Sequence, residues 1–511
     1  MLLLKNLQIP IQKEPDYLYW ISRKLGLPSD SILHFKPLMR SIDARHRNHI
    51  FYNYTFELEL SGKTPSHPDL LPYAEEKQES LIPIAVKDES PFIIGTGPAG
   101  LFCALAMVHN GLKPYLFDRG ESLLERNQKV NQFWETGILD PESNVQFGEG
   151  GAGTFSDGKL TARSRHFYAK RIYEMLVEFG ADEDICIDAL PHLGTDVLKK
   201  ILTDVRSYLE SKGCRFFWSH KLQTITTENG KVTEVRINDE SFHPEMLILA
   251  IGNAARDTFH MLNVSGIAME AKPFAVGFRL EHTQDFINER FYGRNVDLSV
   301  TGPATYRLTA KSGRRGVYSF CMCPGGEVIA AASEPGMQVT NGMSEHQRNG
   351  RYANSAIVVS VDQEDFGQGV LAGVQFQRKL EQAAFRDGYA APVQRSVDFM
   401  KNKHTGRNIS TSYRPTHINE NLNLLLPPDI ILALKQGLNT FSQRIDGFIE
   451  QGILIAPETR TSSPVRLLRD AQNGHARDIS NLFPIGEGSG YAGGIISSAV
   501  DGYKLGLRFT R

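Results

Sequence analysis

The stretch from Pro91 to Gly120, PFIIGTGPAGLFCALAMVHNGLKPYLFDRG, restricts the possible folds of this chain more than any other. An apolar run leads into a glycine-rich turn, an Ala- and Leu-rich run follows, and a second apolar run ends at an acidic residue. This order predicts a strand, a tight turn, a helix and a second strand. Such a unit opens a Rossmann-like fold and is a typical binding element for a dinucleotide.

Each small residue of the turn has its own role in such a unit. Gly95 makes the tight turn, Gly97 lets the backbone approach a pyrophosphate, and Gly100 lets the helix pack on the strand. Pro98 and Ala99 begin the predicted helix, whose unpaired N–H groups and positive dipole end attract phosphate. We therefore predict that these five residues bind the phosphates of a cofactor.

The second apolar run ends at Asp118, followed by Arg119. A carboxylate at this position accepts hydrogen bonds from an adenosine ribose, and we place Arg119 in the same predicted site. The glycine spacing alone is weak evidence, and a glycine turn in an ordinary α/β unit is the alternative. The strand, the helix and the downstream acid in the expected order favour a dinucleotide.

Composition bounds the class of protein. The 511 residues are enough for about two to four domains. A formal charge of −2 and a pI near 6.7 provide no general attraction to nucleic acid or to an anionic membrane. MLLLK is not followed by a long apolar run, so we expect neither a signal peptide nor a membrane span. Five cysteines, mostly far apart, do not indicate a disulfide framework, and the expected location is cytoplasmic.

Changes of pattern along the chain predict four segments. Residues 1–88 form a small N-terminal βαββ module and a connector rich in Pro, Glu, Lys and Ser. Residues 89–271 and 441–511 form one Rossmann-like α/β domain, and residues 272–440 form an inserted α+β substrate domain. The basic segment from Arg40 to Ile50 is either a solvated turn or a contact for RNA or a protein partner.

The loop NVQFGEGGAGTFSDGKLTAR, from Asn144 to Arg163, resembles a phosphate loop without completing one. Gly153, Gly158 and Lys159 satisfy most of the motif, but Leu160 stands where a magnesium-binding hydroxyl is required. The many small residues instead favour a loop whose backbone closely approaches an extended cofactor. The cofactor-binding residues predicted here are Gly151, Gly153, Thr154, Ser156 and Lys159.

Two further segments complete the predicted cofactor site. Three short strands, with a hairpin at Asn229-Gly230, precede the buried strand MLILAIG. Near the end of the chain, FPIGEGSGYAGGI is an apolar strand followed by a glycine-rich helix entry. A carboxylate there binds ribityl hydroxyls, and the helix start directs a positive dipole end at the pyrimidine side of a flavin. The predicted residues are Leu222, Ala250, Gly252, Gly486, Glu487, Gly493, Gly494 and Ile495.

Alternating strands dominate the predicted inserted domain. GQGVLAG, residues 367–373, has the wrong spacing for a glycine fingerprint, so we identify no second dinucleotide-binding domain in the sequence. Alternation along one strand sends Arg279 and Glu281 to one face and His282 to the other. One of these three is a proton donor, or the strand face is solvated.

The candidate catalytic residues are Cys321, Cys323 and Arg460. The two thiols point to one side of a regular strand, where they either exchange electrons with a flavin or pack in the core. Their C-x-C spacing differs from that of disulfide reductases, and no His or Cys pair nearby completes a metal site. Arg460 and Arg466, with hydroxyls between them, neutralise a carboxylate substrate or a pyrophosphate, or form surface ion pairs.

GTGPAG with Asp118, LILAIG and FPIGEGSGYAGGI resemble the two-dinucleotide-binding, glutathione-reductase-like flavoproteins. More closely, SIDAR, FGEGGAGTFSDGKL, SFCMCPGGEV, NGMS and ETRTSSPVR resemble bacterial FAD-dependent dehydrogenases of unassigned substrate, often labelled NAD(FAD)-utilising dehydrogenases. The resemblance covers nearly the whole chain and implies FAD as cofactor and NAD(P)H as a transient reductant. Asp118 replaces the usual glutamate at the ribose position, and Glu487 replaces the usual aspartate at the ribityl position.

Two functions follow from these observations. The first is an FAD-dependent oxidoreductase that takes a hydride on flavin N5 and passes electrons to a small-molecule substrate. The alternative is a protein with a structural or sensory flavin, whose N-terminal module binds RNA or a protein partner. The sequence does not identify the substrate or the oligomeric state.

Overall fold

The computed structural model describes residues 1–11, 15–46, 49–74, 79–161 and 167–511. Parts of three predicted segments lie outside the described residues: positions 47–48 of the basic segment, 75–78 of the connector and 162–166 at the end of the glycine-rich loop. The described chain combines helices with parallel and antiparallel sheets, so the predicted mixed α/β class is confirmed.

The N-terminal residues form an antiparallel sheet with one helix. Its elements are β1 (Leu2–Pro10), α1 (Tyr17–Leu25), β2 (Ile32–Asp43), β3 (Phe51–Leu60) and β4 (Leu70–Pro72), and the strand order is β2–β3–β1–β4. The Asp16 carboxylate accepts a hydrogen bond from the Tyr19 backbone N–H at 3.0 Å, which caps α1. Arg40 binds Asp184 and Asp188, both at 2.7 Å, and so fastens the sheet to the rest of the molecule. Arg40 of the predicted basic segment is therefore already ion-paired within the protein.

The next elements run from the end of the predicted connector through the first part of the predicted Rossmann-like domain. In chain order they are β5 (Ile84–Ala85), β6 (Phe92–Ile94), α2 (Pro98–His109), β7 (Tyr115–Phe117), α3 (Leu123–Thr136), α4 (Phe167–Glu178), α5 (Gly194–Ser211), β8 (Arg215–Phe217), β9 (Leu222–Glu228), β10 (Lys231–Ile237), β11 (Glu240–Phe242), β12 (Leu247–Leu249), α6 (Arg256–Val264) and β13 (Met269–Ala271). The predicted hairpin between β9 and β10 is confirmed, with Asn229 and Gly230 both at positive φ.

The remaining elements run to the last residues. They are β14 (Phe274–Thr283), α7 (Gln284–Tyr292), α8 (Leu298–Thr301), β15 (Thr309–Ser312), β16 (Arg315–Cys323), β17 (Glu327–Ala330), β18 (Thr340–Met343), β19 (Tyr352–Val361), α9 (Gln363–Phe366), α10 (Ala372–Ala384), β20 (Ala391–Arg395), α11 (Ser396–Met400), β21 (His417–Asn419), α12 (Pro428–Ser442), α13 (Phe448–Gln451), β22 (Ile453–Glu458), β23 (Val465–Leu467), β24 (Leu482–Pro484), α14 (Ile495–Gly506) and β25 (Phe509–Thr510). Short 3₁₀ helices lie at Ser29–Ser31, Gly151–Phe155, Glu183–Cys186, Asp387–Tyr389 and Leu422–Leu424.

A five-stranded parallel sheet has the order β24–β12–β6–β7–β8. Strands β6, β12 and β24 are buried along their whole length, as is usual for a parallel sheet covered on both faces. Because the strands are parallel, their carboxyl ends meet at one edge. The segments that leave this edge begin at Gly95, Ala250 and Ile485, so three parts of the predicted cofactor site converge there.

Helices α2 and α14 cross at very close range over this sheet. A Cβ atom added to Gly502 would lie 1.9 Å from the Ala99 carbonyl oxygen, and one added to Gly506 would lie 2.4 Å from the Cys103 carbonyl oxygen. Only glycine permits this approach. The crossing brings the N-termini of the two helices to the same edge of the sheet.

A seven-stranded sheet forms the second large core, with the order β15–β16–β19–β14–β22–β20–β21. Strand β22 lies beyond the predicted boundary at residue 440, so this sheet continues to Glu458. Strand β14 is central and buried from Phe274 to His282. A solvated strand face at Arg279, Glu281 and His282 is therefore wrong, because neighbouring elements cover both faces of β14.

We expect Gly502→Ala to destabilise the protein by about 1–3 kcal/mol, because the new methyl group would overlap the Ala99 backbone. Urea denaturation of the purified chain measures this change. Gly316→Ala is the matched control, since its added Cβ atom would lie at an ordinary 3.6 Å from Ser360 Oγ. Equal stability of the two variants would contradict the proposed tight crossing of α2 and α14.

Candidate functional site

A cavity of about 2250 Å³ runs between the parallel sheet and the seven-stranded sheet. Its volume exceeds the roughly 300–1,000 Å³ of a typical small-molecule pocket. The predicted cofactor residues that line it are Gly95, Gly97, Pro98, Ala99, Asp118, Arg119, Gly151, Gly153, Ser156, Lys159, Leu222, Ala250, Gly252, Glu487, Gly493, Gly494 and Ile495. The opposite part, which we call the thiol end, is lined by Tyr306, Tyr318, Cys321, Thr340, Glu458 and Arg460. Most of the predicted cofactor residues and two of the three candidate catalytic residues, Cys321 and Arg460, thus line one space.

Glycine occupies positions 95, 97 and 100 of the turn before α2 for different structural reasons. Gly95 has φ +107°, and its added Cβ atom would lie 2.3 Å from the Ala250 carbonyl oxygen. A Cβ atom on Gly100 would lie 2.0 Å from the Gly95 carbonyl oxygen. At Gly97, φ is −73° and the nearest atom to an added Cβ is Gly151 Cα at 3.8 Å. The protein itself therefore requires glycine at 95 and 100, whereas at 97 it leaves open space facing the cavity.

Two helix N-termini open into this cavity. Gly97 caps α2 and Gly494 caps α14, and neither helix start has a side-chain hydrogen bond to its backbone N–H groups. Cβ atoms added to Gly493 and Gly494 would meet no atom within 4 Å. The first N–H groups of both helices are thus available to an anion, and the helix dipoles add positive potential.

Asp118 organises the turns around the fingerprint. One carboxylate oxygen accepts hydrogen bonds from the backbone N–H groups of Gly120 (2.9 Å) and Gly148 (3.0 Å). The other accepts from the Thr96 N–H at 2.9 Å and the Thr96 hydroxyl at 2.7 Å. A carboxylate has about four acceptor positions, and all are used within the protein. These bonds join three separate turns at the cavity, and the ribose contact of Asp118 stays a prediction.

Arg119 belongs to a network of charges beside the fingerprint. Its guanidinium binds Glu142 at 2.6 Å and Asp257 at 2.8 and 2.9 Å. Lys221 binds the same two carboxylates at 2.9 and 2.7 Å. Burial opposes ionisation of Asp257, but Arg119 and Lys221 together hold its pKa well below the ordinary value. The network fixes Arg119 along the cavity wall.

Arg126 holds the glycine-rich loop in place from behind. Its guanidinium is fully buried, and burial lowers its pKa to about 10. It donates hydrogen bonds to the backbone carbonyl groups of Asn144, Val145, Gly148, Glu149 and Gly151. Sequence reasoning missed this residue, since an arginine in a polar helix carries no signal of such a role.

Three predicted cofactor residues lie behind the cavity wall. Thr154 is fully buried, and its hydroxyl donates to the Glu149 carbonyl oxygen at 3.1 Å. A Cβ atom on Gly486 would lie 2.6 Å from Ala99 Cβ. Gly100 packs against Gly95, as described above. These three residues support the wall from behind and are not among the residues that line the cavity, and their contact with a cofactor stays a prediction.

Glu487 does line the cavity, beside the start of α14. Its carboxylate accepts a hydrogen bond from the Asn253 side-chain amide at 2.8 Å. Burial raises the pKa of Glu487 to about 7. Asn253 directly follows Gly252, so β12 and the C-terminal segment meet at the position predicted for the ribityl chain.

The thiol end combines two cysteines with buried charges. Cys321 is part-exposed and lines the cavity, whereas Cys323 lies behind it with 0% exposure. One terminal nitrogen of Arg279 donates to the Cys321 carbonyl oxygen at 2.6 Å and to Cys323 Sγ at 3.3 Å. The other lies 3.2 Å from Glu458 Oε1, and burial raises the pKa of Glu458 to about 7. Arg279 and Glu458 are functional candidates that sequence reasoning did not pair with the thiols.

Lys159, which the sequence predicted to contact the cofactor, lies at the thiol end. Its Nζ atom is 3.2 Å from Asp157 Oδ2, and Asp157 also binds Arg348. Burial opposes the charge of Lys159, but Asp157, Cys323 and Cys321 raise its pKa. The positive charge is therefore kept next to the two thiols.

Arg460 is part of a buried ion cluster between the two large sheets. Its Nη2 atom lies 3.1 Å from Glu381 Oε2, and Glu381 also binds Arg256 at 2.6 Å. Arg460 lines the cavity, but Glu381 already balances its charge. Arg466 lies apart from this cluster and forms a part-exposed ion pair with Glu270 at 3.2 Å. The substrate role predicted for Arg460 stays a prediction.

The described residues contain no group of three or more His, Cys, Asp or Glu side chains arranged to hold a metal ion. Among the helices in the described ranges, none is both long and apolar enough to cross a membrane.

Comparison with known proteins identifies related sequences. Residues 273–461 match the family described as "FAD-dependent protein, C-terminal domain-like", and residues 1–59 match a domain of unknown function (DUF8436). An uncharacterized protein of Clostridium beijerinckii is 41% identical over 500 residues, covering 95% of this chain and 94% of the relative.

Solved structures give much weaker matches. CtdE in complex with FAD is 8% identical with a TM-score of 0.32, covering 82% of this chain and 83% of that chain. A geranylgeranyl bacteriochlorophyll reductase-like protein from Thermoplasma acidophilum is 12% identical with a TM-score of 0.35, covering 82% and 77%. TM-scores this low do not establish a common fold over the whole chain.

We expect Gly97→Val to abolish cofactor retention while leaving the cofactor-free chain as stable as the parent. The new Cβ atom would make only an ordinary contact, 3.8 Å from Gly151 Cα, while the methyl groups of valine would add bulk beside the cavity that Gly97 lines. Gly95→Ala is the contrasting variant, and it should destabilise even the cofactor-free chain because of its positive φ and its 2.3 Å contact. Cofactor content by absorbance and urea denaturation measure the two effects. Full cofactor content in Gly97→Val would refute this role of Gly97.

We expect Glu381→Gln to lower the free energy of unfolding by about 3–5 kcal/mol at pH 7, because it leaves Arg256 and Arg460 buried without their shared partner. Although burial opposes ionisation of Glu381, Arg256 and Arg460 lower its pKa from 4.5 to about 2. The stabilisation by the carboxylate is therefore complete above pH 4.5 and is lost as the pH falls toward 2.

Denaturation of the parent and the variant at pH 7 and at pH 3 tests this expectation. The difference in stability between them should shrink at the lower pH. Glu270→Gln is the matched control, because its part-exposed pair with Arg466 should contribute less than about 1 kcal/mol. A difference that is the same at both pH values would argue against the buried ion cluster.

Proposed function

We propose that this chain, which belongs to the same family as the Clostridium beijerinckii protein, is an FAD-dependent oxidoreductase. The observation that carries the proposal is the open space at Gly97 between two helix N-termini of one cavity. A side chain is absent there although the protein has room for one. That absence is explained by a ligand whose phosphates must approach the backbone closely.

The shape of the cavity favours a long dinucleotide over a mononucleotide. Gly97 at α2 and Gly494 at α14 are separate openings, and the wall continues from them to Cys321. FAD has an ADP half and a flavin half, so it uses both helix starts at once. The match of residues 273–461 to an FAD-dependent protein family supports the same cofactor.

Different residues of the chain would bind different parts of FAD. Gly97, Pro98 and Gly151 would hold the pyrophosphate, where backbone approaches the cavity without side chains. Glu487 would accept hydrogen bonds from the ribityl hydroxyls, and the start of α14 would stabilise negative charge on the flavin pyrimidine. When bound, FAD supplies two-electron redox chemistry, and the protein supplies orientation and exclusion of water.

The thiol end is the proposed substrate position. It is lined from the seven-stranded sheet, opposite the cofactor wall, and carries Cys321, Glu458 and Arg460. A small molecule there would lie between this sheet and the cofactor. NAD(P)H as the reductant is supported by the sequence resemblance alone, and it would bind transiently because the sequence contains no second dinucleotide fingerprint.

We expect the purified protein to be yellow, with the visible spectrum of a bound flavin. Anaerobic mixing with NADH and, separately, with NADPH should bleach the flavin band with at least one of them. The control is the Gly97→Val chain, which should give no band and consume neither nucleotide. A chain without colour that cannot take up added FAD would disprove the proposed function. A bound flavin bleached by neither nucleotide would remove NAD(P)H from the proposal.

A further inference from the structure

We propose that Cys321 and Cys323 form a redox-active dithiol whose substrates are disulfides. Cys321 is the attacking thiol and Cys323 is the resolving thiol. This inference rests on the proposed function, because the cofactor supplies the two electrons that return the pair to its reduced state. It goes beyond that function by naming the chemical class of the substrate and the role of each sulfur atom.

The two cysteines differ in their access to the cavity, as an attacking and a resolving thiol must. Cys321 lines the cavity and is open to a ligand, whereas Cys323 is buried directly behind it. Cys323 Sγ lies 3.3 Å from the Cys321 carbonyl oxygen, to which it donates a hydrogen bond. An incoming molecule therefore reaches one thiol, and the second is within reach only from inside the protein.

A β-bulge brings these residues together. Between Phe320 and Cys323 strand β16 advances by three residues, while its partner β19 advances by two, from Ala356 to Asn354. Cys321 has a positive φ of 46°. The regular alternation predicted from the sequence is therefore interrupted at this point. Bulges of this kind re-aim side chains and often lie beside functional sites.

The spacing of the two cysteines also bears on disulfide formation. Residues two apart in a fully extended strand have Cα atoms about 6.6 Å apart, just within the upper limit of about 6.8 Å for a disulfide. The backbone of Met322, the residue between the two cysteines, sets this span, and any departure of that residue from the extended form shortens it. The Cα span of the pair is thus within the range that a disulfide allows.

The charges around the pair separate the two thiols chemically. A hydrogen bond from Cys323 lowers the pKa of Cys321 well below its ordinary value, and Lys159 and Arg279 act in the same direction against burial. Burial raises the pKa of Cys323 well above its ordinary value, and the neighbouring Cys321 adds to the effect. These directions make Cys321, which lines the cavity, the more readily ionised of the two thiols, and the thiolate is the nucleophilic form.

The exchange balances without further groups. The Cys321 thiolate attacks one sulfur atom of a substrate R–S–S–R, the substrate S–S bond breaks, and a mixed disulfide forms. The first R–S⁻ leaves and takes the proton of Cys323. The Cys323 thiolate then attacks Cys321 Sγ, releases the second R–S⁻ and forms the Cys321–Cys323 bond. The dithiol is oxidised by two electrons and the substrate is reduced by two.

The test uses the full chain with its cofactor oxidised, and oxidised glutathione as the probe disulfide. After mixing, alkylation of the remaining thiols and peptide mass analysis report the state of each cysteine. The expected product is a Cys321–Cys323 disulfide. In Cys323→Ser the reaction should stop at a mixed disulfide on Cys321, and in Cys321→Ser neither product should form.

Cys186→Ser is the matched control, because Cys186 is the other part-exposed cysteine in the described part of the chain. This variant should behave as the parent, and Cys321 should react about tenfold or more faster than Cys186. Absence of the Cys321–Cys323 disulfide in the parent would overturn the proposal. Equal reactivity of the Cys321→Ser variant and the parent would also overturn it.

A second measurement separates this inference from the proposed function. The bound flavin is reduced anaerobically with dithionite, excess reductant is removed, and oxidised glutathione is added. The flavin band should return in the parent and stay bleached in Cys321→Ser, with flavin content unchanged. Return of the band in both chains would disprove the dithiol while leaving the flavoprotein intact. Thiol exchange in a chain that binds no flavin would instead disprove the proposed function.

Discussion

The close crossing of α2 and α14 is the contact on which the site depends. Ala99 and Cys103 of one helix meet Gly502 and Gly506 of the other, and no side chain larger than hydrogen fits between the backbones. This contact aligns two helix N-termini from opposite ends of the sequence at one edge of the parallel sheet. Without it, each helix start would be an isolated anion site, and the cavity would not have two of them in one wall.

Buried ion pairs connect the region of the seven-stranded sheet to that of the parallel sheet. Arg256 on α6, Glu381 on α10 and Arg460 form a cluster in which Arg256 and Glu381 have no exposed side-chain surface. Burying such ions carries a large desolvation penalty, so the cluster is stable only while every member keeps its partners. Because Arg460 also lines the cavity, the packing of α6 on α10 and the position of Arg460 at the thiol end depend on the same contacts.

The parts of the site that sequence reasoning predicted are those governed by local spacing. Gly95, Gly97 and Gly100 occur within one turn, and the structure assigns their lack of side chains to distinct causes.

Contacts between distant segments were not predictable, among them Arg279 with Cys321 and Glu458, and Arg126 with the glycine-rich loop. The bulge at Cys321 follows from an unequal count of residues on two strands far apart in sequence. Asp118 was placed correctly at a strand end, but its bonds to Gly120 and Gly148 depend on the path of a later loop.

If one ligand engages the starts of both α2 and α14, the affinity of the site depends on the whole length of that ligand. Calorimetric titration of the cofactor-free chain with FAD, FMN and ADP gives the three dissociation constants. We expect FAD to bind far more tightly than either fragment, because only FAD reaches both helix starts, and we expect a saturating amount of ADP to prevent FAD binding. An affinity for FMN or for ADP equal to that for FAD would contradict it.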